Sequence, residues 1–114
     1  MNLEKIYQQV KEIIIAEIQE EATDFSIGKF TGEAWCFEQD IRGGNRPDYP
    51  SIMLKQQKNG VHLYIAFWKF SKDEMEEMSR IFGKSAVGKS CIRLRKLTPE
   101  RVEAIRNIAI RVME

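Results

Sequence analysis

The amino-terminal residues carry apolar side chains at intervals of three and four. Such intervals place these side chains on one side of a helix, while charged and amide side chains fill the other side. The pattern therefore predicts a surface helix from residue 3 to about residue 21. Its buried stripe is formed by Leu3, Ile6, Val10, Ile13, Ile14 and Ile18.

The chain then changes to the alternating pattern that is typical of β-strands. Gly43, Gly44, Asn45 and Pro47 make Asp40–Pro50 a predicted loop. Asn59-Gly60 tolerates the positive φ of a tight hairpin, and hairpin-length connections predict an antiparallel sheet. The fourth strand is the most apolar, which predicts a central position. The predicted strands are Phe25–Phe30, Ala34–Gln39, Ser51–Gln57 and Val61–Trp68.

Helical signals return after the fourth strand. Ser71 and Glu74 match a capping box, which predicts a short helix from about residue 72 to 82. Cys91–Lys96 alternates as a fifth strand. Thr98-Pro99-Glu100 is a strong start signal for a last helix, with a capping hydroxyl, Pro at the first helical position and an early acid. The apolar side of that helix is formed by Val102, Ile105, Ala109, Val112 and Met113.

This order of elements predicts an α+β fold in one domain over residues 1–114. Both long helices need an apolar sheet face to cover, and a two-layer sandwich provides it. We therefore expect an antiparallel sheet of about five strands, with the amino- and carboxy-terminal helices packed on one face.

Composition and charge restrict the class of protein. An apolar share of 43% and a charged share of 31% are typical of a folded globular domain. Eighteen basic and seventeen acidic residues give a net charge of +1, which argues against general nucleic-acid binding. Ile13–Ala16 is the longest apolar run, far shorter than the roughly 20 residues of a membrane span.

The chain begins without a basic segment followed by an apolar run, which predicts a cytoplasmic protein with no membrane partner. Cys36 and Cys91 belong to no C-x-x-C pair. Two free thiols are the simplest interpretation in that compartment, although the sequence leaves a disulfide open.

Gly83–Ser90 matches the phosphate-loop pattern G-x-x-x-x-G-K-S. A true phosphate loop follows a strand and opens a helix, so that the helix amino terminus faces the phosphates. Here a predicted helix precedes Gly83 and a predicted strand follows Ser90. No apolar strand ending in Asp follows to help hold Mg²⁺. We therefore predict a connecting loop and no nucleotide site.

The same region resembles a known family. Phe82-Gly83-Lys84, Gly88-Lys89-Ser90-Cys91-Ile92 and Arg95-Lys96-Leu97 resemble the carboxy-terminal signature of the YdhG-like family, small bacterial domains of unknown function. The segment from Lys58 to Ile65 resembles that family's central hairpin, and the similarity covers roughly residues 51–114. The resemblance implies a frataxin-like fold, and some relatives are described as frataxin-like iron-binding proteins.

Four acidic residues fall at i, i+3, i+4 and i+7. This spacing places them along one edge of the first helix if that helix continues through all four. Carboxylate oxygens suit iron and other hard cations, and an open ridge of them binds weakly. The frataxin-like resemblance implies such a ridge on the first helix and first strand. A solvated helix edge is the alternative interpretation. The four residues are Glu17, Glu20, Glu21 and Asp24.

The outer face of the sheet is a second candidate site. If Leu63, Ile65, Phe67, Ile92 and Leu94 point inward, alternation sends their neighbours outward. Aromatic rings beside guanidinium groups suit an anionic ligand, a single strand or another protein. Such a patch is more often an interface, so dimerisation or partner binding is favoured over ligand capture. The predicted outward residues are His62, Tyr64, Trp68, Cys91, Arg93 and Arg95.

Catalysis has little support in the sequence. His62 is the single histidine, and Cys91 is its one candidate partner on the same face; Cys36 has no candidate base. We predict a non-enzymatic protein without a tightly bound cofactor. The leading hypothesis is weak binding of iron or another divalent metal for delivery. The alternative is a protein- or ligand-binding module that uses the outer sheet face, as a homodimer or with another partner.

Overall fold

The computed structural model describes residues 2–38, 49–88 and 91–114. In these residues the predicted order of helix, four strands, helix, strand and helix is confirmed. Short 3-10 turns follow β4 and α2, at Phe67–Lys69 and Lys84–Ala86. The elements are α1 (Leu3–Ile18), β1 (Thr23–Ile27), β2 (Phe30–Glu38), β3 (Tyr49–Gln57), β4 (Gly60–Ile65), α2 (Lys72–Phe82), β5 (Cys91–Leu94) and α3 (Pro99–Val112).

The five strands form one open sheet in the order β1-β2-β3-β4-β5, and each strand is antiparallel to its neighbours. The middle position belongs to β3, with β4 beside it as an inner strand. α1 packs against α3, both contact β3, and α2 packs against α3 and β5. The predicted two-layer α+β arrangement is therefore confirmed, with α2 added to the helix layer.

The core lies between the sheet and the helices. Trp35, Leu54 and Leu63 point from the strands into this core and have no exposed surface. Each such side chain contributes about 1.5–3 kcal/mol through burial. The predicted stripe of α1 is confirmed, since Ile6, Val10 and Ile14 are buried in the core and the other members pack against it.

α1 ends three residues earlier than the pattern predicts. Gln19 adopts a left-handed conformation with φ 59 and ψ 41, and its N–H bonds to the Ile15 carbonyl at 2.7 Å. This geometry satisfies a terminal carbonyl and turns the chain away from the helix axis. The Trp35 indole then donates to the Glu20 carbonyl at 3.1 Å, which ties the connection to the sheet.

The prediction of one strand over Phe25–Phe30 is wrong. Gly28, with φ 56, and Lys29 form the turn between β1 and β2, so Phe30 opens β2. Apolar residues alternate on both sides of this turn, which hid it in the sequence. Of the predicted loop Asp40–Pro50, the first nine residues lie outside the described residues, as does Gln39, and Tyr49 and Pro50 begin β3.

The helix start signals of the carboxy-terminal half are confirmed. The Ser71 hydroxyl accepts from the Glu74 N–H at 3.1 Å, and the Glu74 carboxylate accepts from the Ser71 N–H at 2.9 Å. Thr98 caps α3 by accepting from the Arg101 N–H at 3.2 Å.

The ends of β4 and β5 differ from the prediction. β4 ends at Ile65, and Phe67 and Trp68 lie in the 3-10 turn, so the prediction that Phe67 points into the core is wrong; it is 46% exposed. β5 ends at Leu94. A helix precedes Gly83 and a strand follows the loop, as predicted, whereas Lys89 and Ser90 lie outside the described residues.

None of the helices in residues 2–38, 49–88 and 91–114 has the length and apolar character that crossing a bilayer requires.

Candidate functional site

We call the side of the sheet that faces away from the helices the outer face. Its residues are fixed by alternation from the buried inward positions and by the strand register. Lys55 lies opposite His62, and His62 lies opposite Arg93; these three form a basic row across β3, β4 and β5. In the next row Met53 lies opposite Tyr64, and Tyr64 lies opposite Cys91.

Aromatic rings extend from these rows across β2 and β1. The Phe30 ring centroid lies 5.3 Å from that of Tyr64 and 6.4 Å from that of Phe25. Phe25 in turn contacts Phe37 at 5.5 Å and Tyr49 at 6.2 Å. These rings are partly exposed and form one continuous aromatic strip. The strip runs over strands β1 to β4.

Phe37 joins this strip because of the residue before it. Trp35 points into the core, so simple alternation would point Phe37 inward as well. Cys36 instead has φ 57, a left-handed conformation that non-glycine residues rarely adopt, and it packs against the core. The alternation therefore breaks at Cys36, and the Phe37 ring lies against Phe25 on the outer face.

A hollow of about 200 Å³ lies at one end of the outer face, and we call it the end hollow. Tyr64 and Met53 continue into it from the strands, while Phe67 and Trp68 of the 3-10 turn form a wall. Trp68 is 54% exposed. The predicted position of Trp68 on a strand is wrong, yet the fold brings it to the same site as Tyr64. The complete lining is Tyr49, Pro50, Ser51, Met53, Tyr64, Ile65, Ala66, Phe67 and Trp68.

The outer face is positively charged. Lys55 Nζ lies 5.7 Å from the Phe30 ring centroid and donates to the Lys29 carbonyl oxygen at 3.4 Å. Neither Lys55 nor Arg93 forms an ion pair with any residue that the structure describes. No acidic side chain described by the structure lies on this face. Partial burial, then the charges of Arg93 and Lys55, lower the pKa of His62, which favours the neutral form of the imidazole.

Arg95 takes a different place from the one the sequence predicts. It lies beyond the end of β5, and its Nε donates to the Asn59 carbonyl at 2.7 Å. The guanidinium therefore stabilises the turn between β3 and β4 rather than extending the basic row.

The arrangement of Cys91 and His62 does not form a nucleophile–base pair. The two residues are diagonal neighbours on β5 and β4, and Cys91 forms a side-chain hydrogen bond with Tyr64. His62 Nε2 instead lies 3.1 Å from Asn59 Oδ1. Burial raises the pKa of the Cys91 thiol despite the Tyr64 hydrogen bond, which disfavours the thiolate that a nucleophile requires.

The four acidic residues predicted as a ridge do not share a helix. Glu17 lies on α1, where its carboxylate is 3.8 Å from Arg106 of α3. Glu20 and Glu21 follow the end of α1, and Asp24 lies on β1 opposite Glu33. The helical spacing that grouped them therefore fails beyond Ile18. Among the residues that the structure describes, no group of three or more His, Cys, Asp and Glu residues could hold a metal ion.

Several residues of the outer face were missed in the sequence. Lys55 alternates with Leu54 and is opposite His62, so the strand pattern alone contained the signal that would have found it. Phe25 and Phe30 were assigned to one strand, which hid their position on two neighbouring strands. Phe37 could not have been found, because nothing in the sequence marks Cys36 as left-handed.

No protein-family model matches this chain, and comparisons with curated proteins and with solved structures found no match. The candidate site therefore rests on its own geometry.

Proposed function

We propose that this protein is a non-enzymatic binding module, and that its outer sheet face binds an anionic partner. The observation that carries the proposal is the combination of an aromatic strip with the basic row on one face. Ring faces attract cations and planar groups, while Lys55 and Arg93 supply positive charge without a described acid to neutralise it.

The distribution of charge supports an anionic partner over a second copy of the chain. A face-to-face dimer would bring Lys55 and Arg93 of both copies to the same interface, and like charges there cost free energy. The inward acids do not help, because Glu33 is bonded to Tyr7 and Lys11 on the helix side. The predicted homodimer is therefore the alternative, and the experiments must distinguish it from binding of an anionic partner.

Metal delivery remains a prediction with less geometric support. Glu20, Glu21 and Asp24 lie after the end of α1, and Glu17 has Arg106 beside it. The observed α+β order is compatible with the YdhG-like, frataxin-like resemblance, and we keep that family as a hypothesis. Titration with Fe²⁺ tests it, because amide shifts confined to Glu17, Glu20, Glu21 and Asp24 would favour metal binding over our proposal.

The proposal is tested by titrating the ¹⁵N-labelled protein with inorganic polyphosphate. We expect amide shifts centred on Lys55, His62 and Arg93, and little change in α2. The double variant Lys55→Gln/Arg93→Gln should lose these shifts. Lys72→Gln is the matched control, since Lys72 is an exposed lysine on α2 and its removal changes the net charge in the same direction.

Two results would contradict the proposal. One is the absence of shifts at the basic row with any polyanion. The other is equal binding by the double variant, which would show that Lys55 and Arg93 are not used.

A further inference from the structure

The end hollow and the basic row are neighbours on the outer face. Met53 lines the hollow, and Lys55 follows two residues later on the same face of β3, about 7 Å along the strand. Tyr64 and His62 have the same relation on β4. A ligand that enters the hollow with a flat apolar group therefore meets positive charge about one row away.

The lining of the hollow selects for the shape of that group. Every lining residue is uncharged, and four of them are aromatic: Tyr49, Tyr64, Phe67 and Trp68. The Phe67 and Trp68 ring planes are inclined at 79° with centroids 5.4 Å apart, so Trp68 is held by an edge contact while more than half of its surface remains exposed. A planar ring can stack on this indole, whereas a bulky aliphatic group gains less from it.

Simpler ligands fit the outer face less well, because each would contact either the rings or the cations but not both. A free phosphate uses the basic row and leaves the hollow empty, while a neutral aromatic compound does the reverse. A nucleotide carries both groups, and a strand of nucleotides also covers the aromatic strip from Tyr64 to Phe30. Base stacking on aromatic side chains, with lysine and arginine along the backbone, is how proteins hold single strands.

We propose, resting on the proposed function above, that the anionic partner is single-stranded nucleic acid. One base stacks on Trp68 in the end hollow, and the adjoining phosphates contact Lys55 and Arg93. The net charge of +1 does not oppose this, because the acidic side chains described on the strands, Asp24 and Glu33, belong to the opposite face. The cations that would meet the phosphates, Lys55 and Arg93, lie on the binding side in register with His62.

The test uses fluorescence of the whole protein titrated with oligothymidylate of about eight nucleotides, within the roughly 4–16 that such sites cover. Trp35 is fully buried and Trp68 is exposed, so quenching by the oligonucleotide reports on Trp68. We expect Trp68→Ala to weaken binding, measured by anisotropy of a labelled strand, by about 5- to 150-fold. Circular dichroism of this surface variant should be unchanged.

Two further measurements distinguish the contribution of the phosphate contacts to binding from that of base stacking. Lys55→Gln should reduce the slope of log Kd against log salt by about 0.7, while Lys72→Gln should leave it unchanged. An abasic strand of equal length has the same phosphates without bases, and it should bind at least tenfold more weakly than oligothymidylate.

The outcomes distinguish this inference from the proposed function. Equal binding of the abasic strand and oligothymidylate, with no effect of Trp68→Ala, overturns the nucleic-acid inference and leaves an anionic partner of another class. Failure of oligothymidylate, the abasic strand and polyphosphate alike overturns both. Tight, Trp68-dependent binding of oligothymidylate alone supports both.

Discussion

At the scale of single residues, a small polar cluster joins α1 to the sheet. The Tyr7 hydroxyl donates to the Glu33 carboxylate, and Lys11 Nζ donates to the same carboxylate at 2.8 Å. Partial burial opposes ionisation of Glu33, but the hydrogen bonds from Lys11 and Tyr7 outweigh it and lower the pKa. Burial and the same carboxylate raise the pKa of Tyr7 well above its usual value.

Removing the Tyr7 hydroxyl should destabilise the protein. We expect Tyr7→Phe to lower the free energy of unfolding at pH 7 by about 1–2 kcal/mol, because a charge-assisted hydrogen bond is lost. Urea denaturation measures this loss. A cycle with Glu33→Gln should give a non-additive result, and strict additivity would contradict the assigned contact.

The same cluster sets a direction for pH dependence. The folded-state pKa of Glu33 lies below the unfolded value near 4.5, so its contribution is complete above that pH and is lost as the pH falls through the folded-state pKa. We expect stability to fall with acidification less steeply in Glu33→Gln than in the natural sequence. Parallel pH profiles would show that Glu33 is not among the responsible groups.

Gly32 supports the aromatic strip through its missing side chain. A Cβ at this position would clash with the Leu54 carbonyl oxygen and would lie 2.8 Å from the Phe30 ring. We therefore expect Gly32→Ala to cost about 1–3 kcal/mol, since either the backbone of β3 or the Phe30 ring must move. Gly88→Ala is the control, because its nearest new contact, with the Cys91 carbonyl oxygen, is an ordinary 3.7 Å. Equal losses in the two variants would contradict this explanation.

At the scale of elements, the end of α1 lies earlier in the structure than the sequence pattern predicts. Gln19 holds a left-handed conformation that costs a non-glycine residue about 1–2 kcal/mol. The acids after it continue the polar side of a helical pattern, so the sequence alone extends the helix past Ile18.

Glycine at residue 19 should suit this helix end better than glutamine. We expect Gln19→Gly to leave stability unchanged or raise it by up to about 1 kcal/mol, because glycine has no Cβ to oppose positive φ. The matched control is Gln9→Gly, an exposed position inside α1, which should lower stability by about 1 kcal/mol. Thermal and urea unfolding of both variants check the opposite signs. A loss at residue 19 equal to that at residue 9 would argue for a helix that continues.

The elements differ in how far the sequence predicts them. α2 and α3 were predicted closely because side-chain caps, Ser71 with Glu74 and Thr98 with Pro99, mark their starts by local chemistry. The β1–β2 hairpin was missed because its turn, at Gly28 and Lys29, interrupts an alternation that resumes without a visible break. Local signals therefore predict where an element begins when its first residues must be of a particular type, as at a helix cap.

At the scale of the whole molecule, the distribution of charge between the two faces of the sheet affects binding more than the net charge does. Lys55 and Arg93 lie on the outer face, while Asp24 and Glu33 lie on the face toward the helices. A composition with eighteen basic and seventeen acidic residues conceals this separation.

Self-association should therefore respond to salt. We expect a monomer by sedimentation at low ionic strength, because the basic rows of two copies repel each other across a shared outer face. Lys55→Gln/Arg93→Gln should associate more readily than the natural sequence, and Lys72→Gln should not. A low-salt dimer that Trp68→Ala and Arg93→Gln both weaken would instead support the homodimer predicted from the sequence.

The sequence by itself determined the order of elements, the α+β class and most of the buried side of each long helix, although Met113, predicted on the apolar side of α3, is 44% exposed. These follow from periodicity and capping, which are properties of neighbouring residues. It also identified Tyr64, His62 and Arg93 as outward residues, because alternation needs only a correct strand. The tertiary structure alone decided which of these residues meet. Register joins Lys55 to His62 and Arg93, the early end of β4 brings Trp68 beside Tyr64, and left-handed Cys36 turns Phe37 outward. Each of these contacts depends on chain segments distant in sequence or on one unusual backbone conformation, which no local pattern specifies.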